Sequence, residues 1–270
     1  MLVLHNISKQ YDMQGAPAVL ALDALSLTFA RGSFVVLVGS NGSGKSTLLN
    51  LIAGSETVDT GRITLDGQDI TSQPEHQRAG RIGRVFQDPF RGTVPEMTVE
   101  ENLALAACRA KSFDLGFALT RNLRSEIHDR LCALGIGLER RMSQPVATLS
   151  GGQRQVVTML MATWQKPQVL LLDEHTAALD PQSADLVLKI TGQIVSSGGL
   201  TVLMVTHSMQ QAVHFGDRLL MMHRGRVALD LSGSEKNRSQ PGELVHRFEE
   251  LRRAELLDTS VGALLQEQYI

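Results

Sequence analysis

Two cysteines, no long apolar run and almost no excess of charge of either sign are what this sequence has little of, and each shortage removes a class of protein. Cys108 and Cys132 lie in segments of helical periodicity without C-x-x-C spacing, which argues against a cysteine metal or redox centre and fits a reducing cytosol. The longest apolar runs, VVLV at 35–38 and VLLL at 169–172, fall far short of the roughly eighteen residues that span a bilayer, so a membrane role has to pass through a partner. Lys and Arg number 26 against 28 Asp and Glu, a formal net charge of −2, and the basic residues are dispersed. Phosphate backbones select basic faces, so no nucleic-acid partner is expected. The opening MLVLHNISKQY lacks the basic region, long apolar stretch and cleavage site of a secretory signal, and the chain is expected to stay inside the cell. Long-period internal repeats are also missing.

What is present is enough for a sizeable core in one or two domains: 270 residues, 43% hydrophobic and 20% charged. LVLHNIS, the alternating LSLTF at 25–29 and RITLDG at 62–67 read as half-exposed strands of an antiparallel layer. FVVLV, VLLLD and TVLMVTH read as strands buried on both faces, as in a parallel sheet. KSTLLNLIAG and PQSADLVLKITGQIV carry helical spacing between them, so the fold class expected is α/β, a P-loop-type parallel sheet with an antiparallel β layer. VEENLALAACRA and SEIHDRLCALGI mark residues 88–148 as an inserted helical subdomain, leaving 1–87 and 149–230 as the core of a domain spanning 1–230. Residues 231–270 are expected to hold a linker, LSGSEKNRSQPG, and an amphipathic helix beginning at ELVHRF.

GSNGSGKST, residues 39–47, fits G-x-x-x-x-G-K-[ST] after a buried strand and before a helix. Gly39, Ser40, Asn41, Gly42, Ser43 and Gly44 form the loop whose amides close around phosphate at a helix N-terminus. Lys45 is expected to reach the β- and γ-phosphates, with Ser46 giving a hydroxyl to Mg²⁺ and Thr47 following it. No N-K-x-D guanine-reading stretch occurs, which lowers the case for GTP. The strand VLLLDE ends by placing two acids at the sheet's C-terminal edge. Asp173 is expected to hold Mg²⁺ through its water shell, and Glu174 to polarise the attacking water as general base.

TLSGGQR at 148–154 contains Leu149, Ser150, Gly151, Gly152 and Gln153 in the order LSGGQ. A serine and two glycines can simply start a helix, or can make an anion site at its N-terminus. With the P-loop before it and VLLLDE after it, the chain resembles the nucleotide-binding subunit of ABC transporters over about residues 2–230. That resemblance implies that LSGGQ contacts the γ-phosphate of ATP held by an opposing subunit. It also implies that Tyr11 stacks on adenine and that Gln87, in VFQDPF, touches Mg²⁺ and the attacking water. Ala178, Leu179 and Asp180 would be the D-loop crossing a dimer interface, and His207 the switch histidine on the γ-phosphate. His175 departs from the usual pattern, which has proline or a small residue there. DEHTAALD, GRVFQDP and TVEENLALA are similar to a subgroup of bacterial ABC importers that work with a permease and a substrate-binding protein, some of them labelled aromatic amino-acid transporters.

The resemblance implies a second copy of the chain, because one P-loop and one LSGGQ make only half of a site pair. It implies ATP as substrate, Mg²⁺ as cofactor, a membrane permease as partner, an extracytoplasmic substrate-binding protein reached through that permease, and a peripheral position on the cytoplasmic face of the membrane. DPFRGTVPEM, just past Gln87, is either a permease-docking segment or a plain surface loop. The alternative function is a soluble ABC ATPase without a transporter, such as one for iron–sulfur cluster assembly.

Overall fold

A computed structural model describes residues 1–13, 16–109, 119–196 and 199–250. Along the chain run β1 (Leu2–Met13), β2 (Ala16–Phe29), β3 (Phe34–Gly39), α1 (Lys45–Ala53), β4 (Thr60–Leu65), β5 (Gln68–Asp69), α2 (Glu75–Arg78) and β6 (Ile82–Val85). There follow α3 (Val99–Cys108), α4 (Arg121–Leu134), α5 (Gly151–Thr163), β7 (Val169–Asp173), α6 (Pro181–Ser196), β8 (Thr201–Val205), α7 (Met209–His214), β9 (Arg218–His223), β10 (Arg226–Ser232) and α8 (Gly233–Arg238). Residues 241–250 are helical as well.

Two sheets form. An antiparallel one has the order β2-β1-β4-β5, and the central one the order β10-β9-β3-β8-β7-β6, in which β9, β3, β8, β7 and β6 run parallel. The three strands expected to be buried on both faces are so. Val35, Leu37, Leu171, Leu203 and Val205 point into a core shared with α1 and the antiparallel layer. Val36, Val38, Leu170, Leu172, Val202 and Met204 point the other way, toward α5 and α7. Uniformly apolar strands result, because neither face of these three strands meets water. β6 and β9 were not among the expected strands; IGRV is short and carries an arginine, and RLLMMH begins with one.

The helical cluster extends past residue 148. Val99, Leu103, Ile127 and Leu131 pack with Val156, Val157 and Leu160 of α5 and Val187 and Ile190 of α6. Met159 and Ala162, on the other side of α5, join the sheet's core, so this one helix belongs to both layers. α3 starts at a capping box in which Thr98 accepts from the Glu101 amide and Glu101 accepts from that of Thr98.

The stretch expected as a linker is structured. Leu231 is buried at the end of β10 and α8 follows at once. Lys236, 2% exposed, donates to the carbonyls of Val213, Phe215 and Gly216 at 2.8, 2.6 and 2.7 Å. A Ser/Gly/Asn-rich composition suggested open chain, but one buried ammonium finding three carbonyls at the end of α7 overrides it. Burial pulls this ammonium below its ordinary pKa, with Asp217 opposing. The second helix lies within the described residues only to 250; its expected continuation to Leu257 lies outside them.

Lys236→Ala removes three charge-assisted bonds and leaves the carbonyls behind α7 unpaired. It is expected to lower stability by about 2–4 kcal/mol. Urea denaturation monitored by circular dichroism checks this, and a loss below about 0.5 kcal/mol would contradict the anchoring role.

Candidate functional site

β3 enters its loop at Gly39, where a Cβ would lie 2.3 Å from the Met222 carbonyl oxygen of β9. Gly44, at φ +99°, caps α1 in the left-handed region, and a Cβ there would stand 2.5 Å from the carbonyl oxygen of Ala21. Both glycines are therefore required by backbone contacts, independently of any ligand. α1 begins without a side-chain cap or an acidic residue in its first turn, so its N-terminal amides and partial positive charge are open to an anion. Lys45, 5% exposed, folds back over the loop and donates to the Gly39 and Ser40 carbonyls at 3.0 and 2.8 Å. Burial pulls its ammonium below the ordinary value, while Glu174 and Asp173 act in the opposite direction.

Two clefts meet at this loop. One, of about 320 Å³, is lined by Tyr11, Val19, Ala21, Asn41, Gly42, Ser43, Gly44, Lys45, Ser46, Thr47 and Glu174. The other, of about 440 Å³, is lined by Ser46, Asn50, Arg84, Phe86, Gln87, Asp88, Arg91, Asp173 and Ala178. Ser46 belongs to both. The first holds an aromatic ring, apolar Val19 and Ala21 and the anion-binding loop, the composition a nucleotide needs from base to phosphate. The second brings together the hydroxyl, carboxylate and amide oxygens of Ser46, Asp173 and Gln87. No group of three or more His, Cys, Asp or Glu side chains converges among the described residues. A hard cation taking one carboxylate here and the rest of its shell from phosphate and water fits this donor set, as Mg²⁺ does.

Glu174 follows β7 in the left-handed region at φ +46°, unusual for a residue with a side chain. Its amide donates to the Val205 carbonyl at 3.1 Å, tying the turn to the end of β8. His207, two residues beyond β8, places Nε2 2.6 Å from Glu174 Oε1. The general-base candidate and the switch-histidine candidate are thus in direct contact. His175, 2% exposed, turns away from the clefts and bonds Thr191 of α6 through Nε2 at 3.2 Å. Since the Thr191 hydroxyl donates to the Val187 carbonyl, His175 is the donor; burial holds its pKa down at about 4 and keeps it neutral.

The signature segment is built differently. Ser150 caps α5, its Oγ accepting from the Gln153 amide and Gln153 Oε1 accepting from the Ser150 amide, each at 3.3 Å. The ordinary capping role is therefore realised, and it leaves Ser150 exposed. A Cβ at Gly151 would stand 3.2 Å from Leu179, and one at Gly152 would stand 2.7 Å from Ser183. Those glycines let α5 close on the D-loop segment and α6, a packing requirement that the motif alone did not disclose. Asp180 accepts from the Ser183 amide at 3.0 Å, and the bonds to Ser183 hold its carboxyl below the usual range. None of residues 149–153 lines either cleft.

Sequence reasoning missed three participants. Arg84 and Asn50 line the second cleft; Arg84 is a charged residue inside the otherwise buried β6, a signal hidden as long as that strand is not recognised. Arg154, 4% exposed, donates to the Val146, Ala147 and Leu149 carbonyls and stacks 3.7 Å from the centroid of Phe90. It clasps the approach to the signature to the segment just beyond Gln87.

The ABC transporter family matches residues 22–177, more than half of the chain. The chain belongs to the ABC transporter family. It is an ATP-binding, ATP-hydrolysing subunit of that family, and no described helix is long and apolar enough to cross a membrane. It is 42% identical to the tyrosine transport ATP-binding protein of Clostridioides difficile over 92% of this chain and 99% of that protein. It is 33% identical to the methionine import ATP-binding protein of Mannheimia succiniciproducens over 100% of this chain and 74% of that protein. A dimeric ATP-binding cassette in a post-hydrolysis state, bound to ADP and Pi, superposes with a TM-score of 0.73 at 29% identity, covering 86% of this chain and 98% of that one.

Gly152→Ala forces α6 away from α5 and is expected to cost about 1–3 kcal/mol in denaturant titration. Ser183→Gly, which removes the atoms in the way, should recover most of that loss in the double variant. Strict additivity of the two changes would contradict the packing account.

Proposed function

We propose that two copies of this chain sandwich two Mg-ATP and drive a separate membrane permease that imports a small solute, an amino acid of the aromatic class being favoured. The observation that carries the sandwich is the split site. The two clefts are lined by Tyr11, residues 41–47 of the loop, Asp173, Glu174 and Gln87, and residues 149–153 lie outside their lining. A γ-phosphate bound at Lys45 then remains open on the side that Ser150, Gly151 and Gly152 of a second copy would cover. The dimeric relative with ADP and Pi supports such an arrangement. The relatives named for tyrosine transport and methionine import support import of an amino acid, the former over almost its whole length.

In this reading Tyr11 stacks on adenine, the amides after Gly44 and the Lys45 ammonium hold the β- and γ-phosphates, and Ser46, Asp173 and Gln87 hold the metal. Mg²⁺, when bound, neutralises charge on the phosphates. Glu174 takes the proton of the attacking water, and His207 orients that carboxylate until it meets the γ-phosphate. The 88–148 region and the exposed Phe90 and Val94 provide the face toward the permease, at the cytoplasmic side of the membrane. A substrate-binding protein acts on the far side, through that permease.

Lys45→Ala should remove most nucleotide affinity in equilibrium titration, because the charge-assisted donor to two phosphates is lost. Ser150→Arg should leave binding by the monomer almost intact and abolish dimerisation with Mg-ATP. Loss of binding within the Ser150→Arg monomer would place the signature in its own chain's site and overturn the split-site reading.

A further inference from the structure

Along the two clefts, five side chains form a continuous polar chain whose linking bonds the roles above do not use. The Tyr11 hydroxyl donates to Glu56 Oε2. Asn50 Nδ2 donates to the other oxygen of Glu56 at 2.6 Å, and Arg84 Nη2 donates to Asn50 Oδ1 at 2.7 Å. The same Nη2 stands 3.4 Å from Asp173 Oδ2. One end is the aromatic residue of the first cleft, and the other is the carboxylate of the second.

The distances within this chain are unequal in an informative way. A relaxed guanidinium–carboxylate bond measures about 2.7–2.9 Å, yet the Arg84–Asp173 contact is 3.4 Å although both side chains are largely shielded from water, at 12% and 15% exposed. Arg84 spends its short bond on the neutral Asn50 instead. Its plane is fixed by Phe86, whose ring centroid lies 4.6 Å away, next to Gln87 in sequence. Its Nε is buried without a hydrogen-bond partner, so the guanidinium has a donor left unused. Closing fully on Asp173, it would neutralise the carboxylate and compete with a divalent cation. Asn50 holds it off, Glu56 orients Asn50, and the Tyr11 hydroxyl orients Glu56.

We propose that Tyr11, Glu56, Asn50 and Arg84 form a relay through which the adenine end of the site sets how available Asp173 is to Mg²⁺, with Arg84 a positioning residue. The proposal rests on the Mg-ATP reading of the clefts. Coupling of this kind is established only by measured interaction between the ends, and the readout needed is a binding ratio.

Isothermal titration of ATP with and without Mg²⁺ gives, for each variant, the factor by which Mg²⁺ tightens binding; thermal melts identify any variant that is unfolded. Tyr11→Phe keeps the stacking ring and loses only the hydroxyl. It is expected to reduce the Mg²⁺ factor about threefold or more, as is Glu56→Ala, and the double variant should fall no further than either single one. Arg84→Met removes the competing cation, so it should raise the factor and make Tyr11→Phe silent. The relay is overturned if Tyr11→Phe weakens binding equally with and without Mg²⁺. Multiplied effects of Tyr11→Phe and Glu56→Ala, or an effect of Tyr11→Phe that persists beside Arg84→Met, overturn it too. A folded wild-type protein that binds no Mg-ATP overturns the reading of the clefts instead.

Discussion

Strands that are buried on both faces can expose chemistry only at their ends, and the rest of this molecule follows from that constraint. β3, β6, β7 and β8 lie in one parallel run, so their C-terminal ends share an edge of the sheet. From that edge issue the loop at Gly39, Gln87, the Asp173–Glu174 pair and His207. Residues more than 160 positions apart in sequence come to this one edge because β3, β7 and β8, and β6 apart from Arg84, stay apolar until they end. The contact between Glu174 and His207 is a product of β7 and β8 being neighbours.

The strongest sequence signals were those in which local pattern and chemistry coincide. FVVLV before GSNGSGKST, and VLLL before DE, announce both the strand and what stands at its end, and the structure has both. Composition misled where a few buried bonds outweigh it: LSGSEKNRSQPG has the residues of a linker, yet Lys236 and Leu231 pin it to the core. The glycines of LSGGQ were read for their amides. Their closeness to Leu179 and Ser183 depends on how α5 lies on α6, which no local pattern contains. Asn50 and Glu56 were invisible for the same reason, since an asparagine in a helix and a glutamate in a loop acquire meaning only through the partners that tertiary structure brings to them.

Two connections tie the catalytic edge to the helical layer. Arg154 joins the carbonyls before Ser150 to Phe90, so the signature and the segment after Gln87 cannot shift independently without breaking a buried cation's bonds. His175 joins the turn carrying Glu174 to Thr191 of α6, and α6 in turn packs on Gly152. The base and the signature of one chain, which on this account serve different nucleotides, are therefore built on one pair of packed helices. A displacement of α6 would be felt at both, giving closure around ATP and the chemical step a shared structural element.

On the proposed mechanism, Glu174 removes the proton of a water attacking ATP that is closed between two copies of this chain. The most direct measurement is the Glu174→Gln variant, assayed for hydrolysis and passed over a size-exclusion column with no nucleotide, with Mg-ATP and with Mg-ADP. Glutamine keeps the size and a hydrogen-bond acceptor but cannot take up the proton, so hydrolysis should fall by about two to four orders of magnitude. The protein should then run as a dimer with Mg-ATP alone and as a monomer otherwise. Hydrolysis at the wild-type rate, or an ATP-loaded variant that stays monomeric even with its permease present, would contradict the account.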